Sequence, residues 1–120
     1  MIIARDLKKH FGAVKAVDGV SFEIADSRIT GLLGPNGSGK TTTLRMLYAL
    51  LQPDAGQVLV DGMDAWHDPL PAKAAMGVVP DARGLYPRLT ARENIAYFGE
   101  LQGIKGDVLA KRIDALAQEL

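Results

Sequence analysis

The run Gly34-Pro35-Asn36-Gly37-Ser38-Gly39-Lys40-Thr41 constrains the fold of this chain more than any other stretch, because it fills every fixed position of the pattern G-x-x-x-x-G-K-[ST]. Glycines at this spacing let successive backbone N–H groups turn inward around an anion, where a Cβ would obstruct the approach. The lysine then reaches the outer phosphates of a polyphosphate, and the hydroxyl that follows is placed for a divalent cation. Such a loop needs a strand to deliver it and a helix whose N-terminal amides receive the anion. Both are expected here. "RITGLLG" before the loop is an apolar run that suits a strand buried on both faces. After it, Leu44, Leu47, Tyr48 and Leu51 make one helical stripe that Pro53 and Gly56 stop.

The flanks complete an α/β pattern. An apolar opening at Ile2-Ile3, a turn at Gly12, and Val20, Phe22 and Ile24 alternating with Ser21 and Glu23 predict antiparallel sheet. "GQVLVDG" reads as a short strand closed by an Asp61-Gly62 turn, and "MGVVPD" as another ending at Pro80. A short helix is expected between them, after Pro71. Thr90 and Glu93 stand in capping-box relation at the head of a helix that should end near Gly103. From Asp107 onward, Leu109, Ile113, Leu116 and Leu120 share a second stripe.

Composition removes several classes of function. With 14 basic and 14 acidic residues interspersed, the chain lacks the electrostatic footprint of a nucleic-acid binder, so any anion site must be local. There is no cysteine, and the two histidines, His10 and His67, lie far apart, which excludes disulfides and thiolate zinc and argues against a metal cluster. No apolar run approaches the roughly 18 residues of a membrane span, and a cytoplasmic setting is expected. At 120 residues the chain suits one compact unit or part of a larger one.

These segments, in order, resemble the nucleotide-binding domain of ABC transporters: "LKKHFGAVKAVDGVSFEI" before the loop, "GPNGSGKTTTLRML" through it, "PDAGQVLVDGMD" after it and "VVPDARGLYPRLTARENI" beyond. The wording of the last segment is similar to the sodium-extrusion (Nat-type) branch of bacterial exporters. The resemblance implies a P-loop α/β fold of ABC type, truncated. Its antiparallel β subdomain would comprise residues 1–30 and 56–66, its P-loop core residues 31–55 and 67–82, and its Q-loop region and helical subdomain residues 83–120. It implies ATP and Mg²⁺ as ligands, held by Asn36, Gly37, Ser38, Gly39, Lys40, Thr41 and Thr42. Phe11 would stack on the adenine, and Thr41 and Asp81 would serve the metal. Family members usually carry glutamine where this chain has Asp81. A carboxylate can coordinate Mg²⁺ but cannot donate as an amide does, which puts the catalytic carry-over to Asp81 in doubt.

The resemblance further implies an ATP-binding subunit peripheral to the inner face of the membrane. It would couple hydrolysis to transport through permease subunits, in the direction of export with sodium as the candidate cargo, and pair with a second nucleotide-binding subunit. The permease would meet residues 81–98. The signature loop, the Walker B aspartate with its catalytic glutamate, and the switch histidine do not occur in these 120 residues. The chain alone is therefore expected to bind nucleotide without efficient hydrolysis, and its unpaired edges and the stripe from Leu109 to Leu120 to drive self-association. A non-hydrolysing binding or scaffold module is the alternative reading. Asp61 ends an apolar run as a Walker B aspartate does, but Gly62 after it marks a turn. Trp66 and His67 have no partner that the sequence identifies.

Overall fold

A long antiparallel hairpin opens the computed structural model, which describes residues 1–79 and 84–119. Strand β1, Ile2–Phe11, turns through Gly12-Ala13 into β2, Val14–Ile24, with Phe11 paired to Val14. Gly12 takes φ +59° at the first turn residue, a left-handed conformation that glycine adopts without steric cost and that matches the twist of a hairpin. Strand β3, Ala55–Val60, adds antiparallel to the other edge of β1, and β4, Met63–Asp64, closes on β3 through Asp61-Gly62. Both turn residues have positive φ, +49° and +81°, as the tight turn read from the sequence requires. The sheet order is β2-β1-β3-β4.

The chain divides into two compact units, Met1–Val78 and Val79–Leu120. In the first, helix α1, Lys40–Leu47, and helix α2, Pro69–Ala74, accompany the sheet. Its core gathers Ala4, Leu7, Val17, Met46, Leu47, Val58, Val60 and Ala72. Leu7, Met46 and Val58 are wholly buried, and full burial of such side chains stabilises by about 1.5–3 kcal/mol each. The alternation in β2 holds: Val20, Phe22 and Ile24 pack against this core while Ser21 and Glu23 face out. Helix α2 begins at Pro69, two residues ahead of Pro71, after which the sequence placed it.

Three expectations require correction. The run "RITGLLG" forms no strand, and Ile29 and Leu33 stand fully exposed, as does Val79 at the end of "MGVV", which is likewise irregular over its described residues. A strand buried on both faces needs hydrogen-bonding neighbours along both edges, and the sheet among the described residues uses β1 to β4 alone. Of the predicted α1 stripe, Leu47 is buried, Tyr48 half-buried and Leu51 packed against the core, but Leu44 is exposed, and Thr43 and Met46 are buried instead. The helix also stops earlier than Pro53: Ala49, in the left-handed conformation, lets Leu50 N–H reach the Arg45 carbonyl at 2.9 Å and Ala49 N–H reach Met46 at 3.2 Å.

The second unit pairs helix α3, Ala91–Leu101, with helix α4, Gly106–Glu119. Thr90 caps α3, its hydroxyl accepting from Glu93 N–H at 3.2 Å while the Glu93 carboxylate accepts from Thr90 N–H at 2.7 Å. Gly103, at φ +82°, closes the other end with Ile104 N–H on the Gly99 carbonyl at 3.1 Å, as predicted. Leu109 and Ile113 are buried against α3, whereas Leu116 is half exposed and Leu120 lies outside the described residues. Gly99 permits the contact, since a Cβ there would meet a Leu109 methyl at 2.4 Å. Tyr86, in the segment before α3, clusters with Tyr97 and Phe98 of the helix, the two tyrosine rings edge to face at 5.1 Å.

Candidate functional site

The loop closes on itself through its lysine. Lys40 Nζ donates to the carbonyl oxygens of Gly34 and Pro35, each at 2.7 Å, and Ser38 N–H donates to Pro35 at 3.2 Å. An ammonium carries three donors. Two are spent inside the loop, so one remains for an oxygen arriving from outside.

Helix α1 presents a compatible N-terminus. Its first intrahelical bond runs from Thr43 N–H to the Gly39 carbonyl at 2.8 Å, so the N–H groups of Lys40, Thr41 and Thr42 precede the ladder and have no acceptor within the helix. Gly39 supplies no capping side chain, and the first turn holds no acidic residue. These donors and the helix dipole are thus left to an external anion. The glycines fit the same purpose: Gly37 and Gly39 sit at φ +80° and +86°, and a Cβ on Gly34 would fall 2.5 Å from Ser38 Oγ. The residues present therefore suit a triphosphate. Asn36, Gly37, Ser38 and Thr41 are exposed, while Thr42 is half-buried at the base of the helix.

Phe11 is 51% exposed at the end of β1, and its partner Val14 lies two residues along β2 from Ala16, the residue that Gly39 touches. The hairpin tip and the loop thus share one stretch of β2. Asp81 lies outside the described residues. Among those described, no three His, Asp or Glu side chains gather as a metal site, and the Thr41 side chain is exposed at the head of α1.

Asp61 is engaged elsewhere: its carboxylate accepts from the Met1 ammonium, which Asp26 also contacts, and its N–H donates to the Met1 carbonyl at 2.9 Å. Donating to Asp26, and then to Asp61, raises the pKa of that ammonium. His67 finds a partner in Asp64, Nδ1 to Oδ2 at 3.2 Å. Asp64 also accepts from Gln57 Nε2 at 2.8 Å, Trp66 N–H at 2.8 Å and His67 N–H at 3.0 Å. Burial alone would raise the Asp64 pKa, but these donors outweigh it and hold the carboxyl at about 2. The arrangement knots the β4–α2 connection.

Sequence reasoning missed two polar anchors. Asp54 clamps the end of β1, and Asn94, 5% exposed, binds four backbone groups of the segment that precedes α3. The available signals were positional: Asp54 lies in a Pro-Asp-Ala-Gly turn, and Asn94 follows the capping glutamate.

The ABC transporter family matches residues 17–120. This chain belongs to it. ABC transporter ATP-binding protein NatA of Bacillus subtilis is 42% identical over 98% of the chain and 50% of the relative, in agreement with the Nat-type wording of residues 81–95. The Nod factor export ATP-binding protein I of Paraburkholderia xenovorans is 46% identical over 82% of the chain and 32% of the relative. A protein of Chlorella vulgaris described as a probable sulfate/thiosulfate import ATP-binding protein is 39% identical over 96% of the chain and 48% of the relative. Among solved structures, the dimeric bacterial ABC transporter cassette MJ0796 superposes with a TM-score of 0.80 at 25% identity, over 99% of the chain and 55% of that chain. The fold is thus that of an ABC-type P-loop cassette, of which the chain spans half or less of the curated relatives' length. No helix among the described residues is long and apolar enough to cross a membrane.

Proposed function

We propose that this chain is the phosphate-gripping part of an ABC transporter ATP-binding subunit, and that the whole protein couples Mg-ATP binding and hydrolysis to transport through a membrane permease. The observation that carries this reading is the Lys40 ammonium, closed onto Gly34 and Pro35 with one donor to spare, in front of a helix start that has no carboxylate of its own. Lys40 meets the outer phosphates. Gly37, Ser38, Gly39 and the Lys40, Thr41 and Thr42 amides surround the inner ones, with Asn36 at the rim. The Thr41 hydroxyl holds Mg²⁺, which supplies charge neutralisation at the phosphates when bound. Phe11 offers its ring to the adenine. Asp81 is assigned a place near the metal, by its position in the sequence alone.

The direction is export, supported by the Nat-type wording of residues 81–95 and by the relative named for Nod factor export; sodium is the candidate cargo. The subunit works at the inner face of the membrane, with residues 81–98 against the permease and a second nucleotide-binding subunit alongside. Positioning and charge stabilisation at the attacking water decide phosphoryl transfer, and no residue of these 120 is assigned to that water. The chain alone accordingly binds Mg-ATP without efficient turnover. Phosphate release measured on the purified chain with Mg-ATP tests this: binding without release is the expected result. Release that Lys40→Ala abolishes would show that residues within the chain activate water.

A further inference from the structure

The ladder between β1 and β3 ends at the pair Lys8 and Ala55. Beyond it, β1 runs on through Lys9, His10 and Phe11 with no strand on that side among the described residues. Asp54 takes the place of the missing rungs. Its N–H donates to the Lys8 carbonyl at 2.8 Å, its Oδ2 accepts from His10 N–H at 2.7 Å, and its Oδ1 accepts from Lys9 Nζ at 2.7 Å. One residue thus closes three successive positions of β1, directly before Phe11.

Lys9 carries the restraint onward to the ring. Its side chain is only 15% exposed, and its ammonium stands 5.8 Å from the Phe11 centroid, within cation–π range. The ammonium is held between a carboxylate and an aromatic face, and neither partner is free to drift without the other. The Lys9 ammonium first, and then His10 N–H, hold the Asp54 carboxyl below the usual carboxylate range.

We infer that Asp54 is a positioning residue for nucleotide recognition: by fixing Lys9 and His10 it presents the Phe11 ring to the base, an inference that rests on the reading of Phe11 as the adenine platform. A residue that merely stabilised the sheet would affect every ligand of the loop alike. Asp54 acts on the base alone.

The test is calorimetry on the 120-residue chain with Mg-ATP and with Mg-tripolyphosphate, which has the phosphates and no base. Asp54→Ala weakens Mg-ATP by about threefold to tenfold, the scale of one stacked ring, and leaves tripolyphosphate unchanged. Asp54→Asn keeps an acceptor for His10 N–H but gives up the ion pair, and loses less. Phe11→Ala added to Asp54→Ala costs nothing more. An equal loss on both ligands, or additive losses in the double variant, overturns the inference. If Phe11→Ala weakens Mg-ATP and Asp54→Ala does not, the Asp54 role falls and the platform stands; if Phe11→Ala changes nothing, both fall. Should Asp54→Ala fail to fold, Asp54→Asn and Lys9→Met carry the same comparison, and tripolyphosphate affinity reports that the loop is intact.

Discussion

Gly39 stands so close to the carbonyl of Ala16 that a Cβ on it would lie 2.3 Å from that oxygen, and its φ is +86°. The glycine at the head of α1 therefore does two things. It turns the loop into the helix, and it lets that helix start lean on β2, whose first residue, Val14, pairs with Phe11 of β1.

Gly39→Ala meets both obstacles together. The left-handed conformation costs an L-residue about 1–2 kcal/mol, and relieving the clash with Ala16 moves the loop off β2. We expect a loss of at least about 2 kcal/mol in urea unfolding of the chain. Affinity for Mg-tripolyphosphate should fall with it, since the amides of Lys40 to Thr42 move too. Gly37→Ala, which has open space around its Cβ position, strains only the backbone and should cost less.

Asn94 supports the segment before α3 in a comparable way. Its Oδ1 accepts from Tyr86 N–H at 2.8 Å, and its Nδ2 donates to the carbonyls of Tyr86, Leu89 and Thr90 at 3.0–3.2 Å. Asn94→Ala leaves these groups unsatisfied at a buried site, a cost of about 1–3 kcal/mol. Hydrogen exchange at the Tyr86 amide should accelerate accordingly. Asn94→Asp keeps that amide's acceptor but turns a carboxylate toward three carbonyl oxygens. It should be the more damaging substitution near neutral pH and should recover as the carboxyl protonates.

Local signals in the sequence were legible where a few adjacent residues decide the geometry. The Gly34–Thr41 loop, the Asp61-Gly62 turn, the Thr90–Glu93 capping box and the Gly103 stop each depend on their own backbone angles and side chains. "RITGLLG" was misread because its apolar character states what it would pack against, not whether that partner strand is at hand. The α1 stripe holds at Leu47, Tyr48 and Leu51 and fails at Leu44, because Leu44 and Met46 are both apolar and only contact with the sheet chooses between them. Asp54 and Asn94 were invisible for a related reason: their partners are backbone groups, which every sequence has and only the fold brings within reach.

Asp64 gives the first unit a pH dependence with a definite sign. Its pKa drops from an ordinary 3.8 to about 2 in the folded chain. A depressed carboxylate contributes stability that is complete above the unfolded value and is lost as pH falls through the folded one. The window therefore runs from about pH 4 down to about pH 2 and is worth roughly 2 kcal/mol. Urea unfolding across that range should show this slope in the native chain, and Asp64→Asn should flatten it. An unchanged slope in the variant would assign the acid sensitivity to other carboxylates.

The central claim is that Lys40 and the loop it closes grip a triphosphate. Calorimetric titration of the 120-residue chain with Mg-ATP, beside the same titration of Lys40→Ala, tests it most directly. Charge-assisted hydrogen bonds contribute about 1.5–3 kcal/mol each, so the account predicts that Lys40→Ala binds Mg-ATP about tenfold more weakly or worse. Equal affinity in the two proteins would mean that the ammonium only braces the carbonyls of Gly34 and Pro35, and would contradict the account.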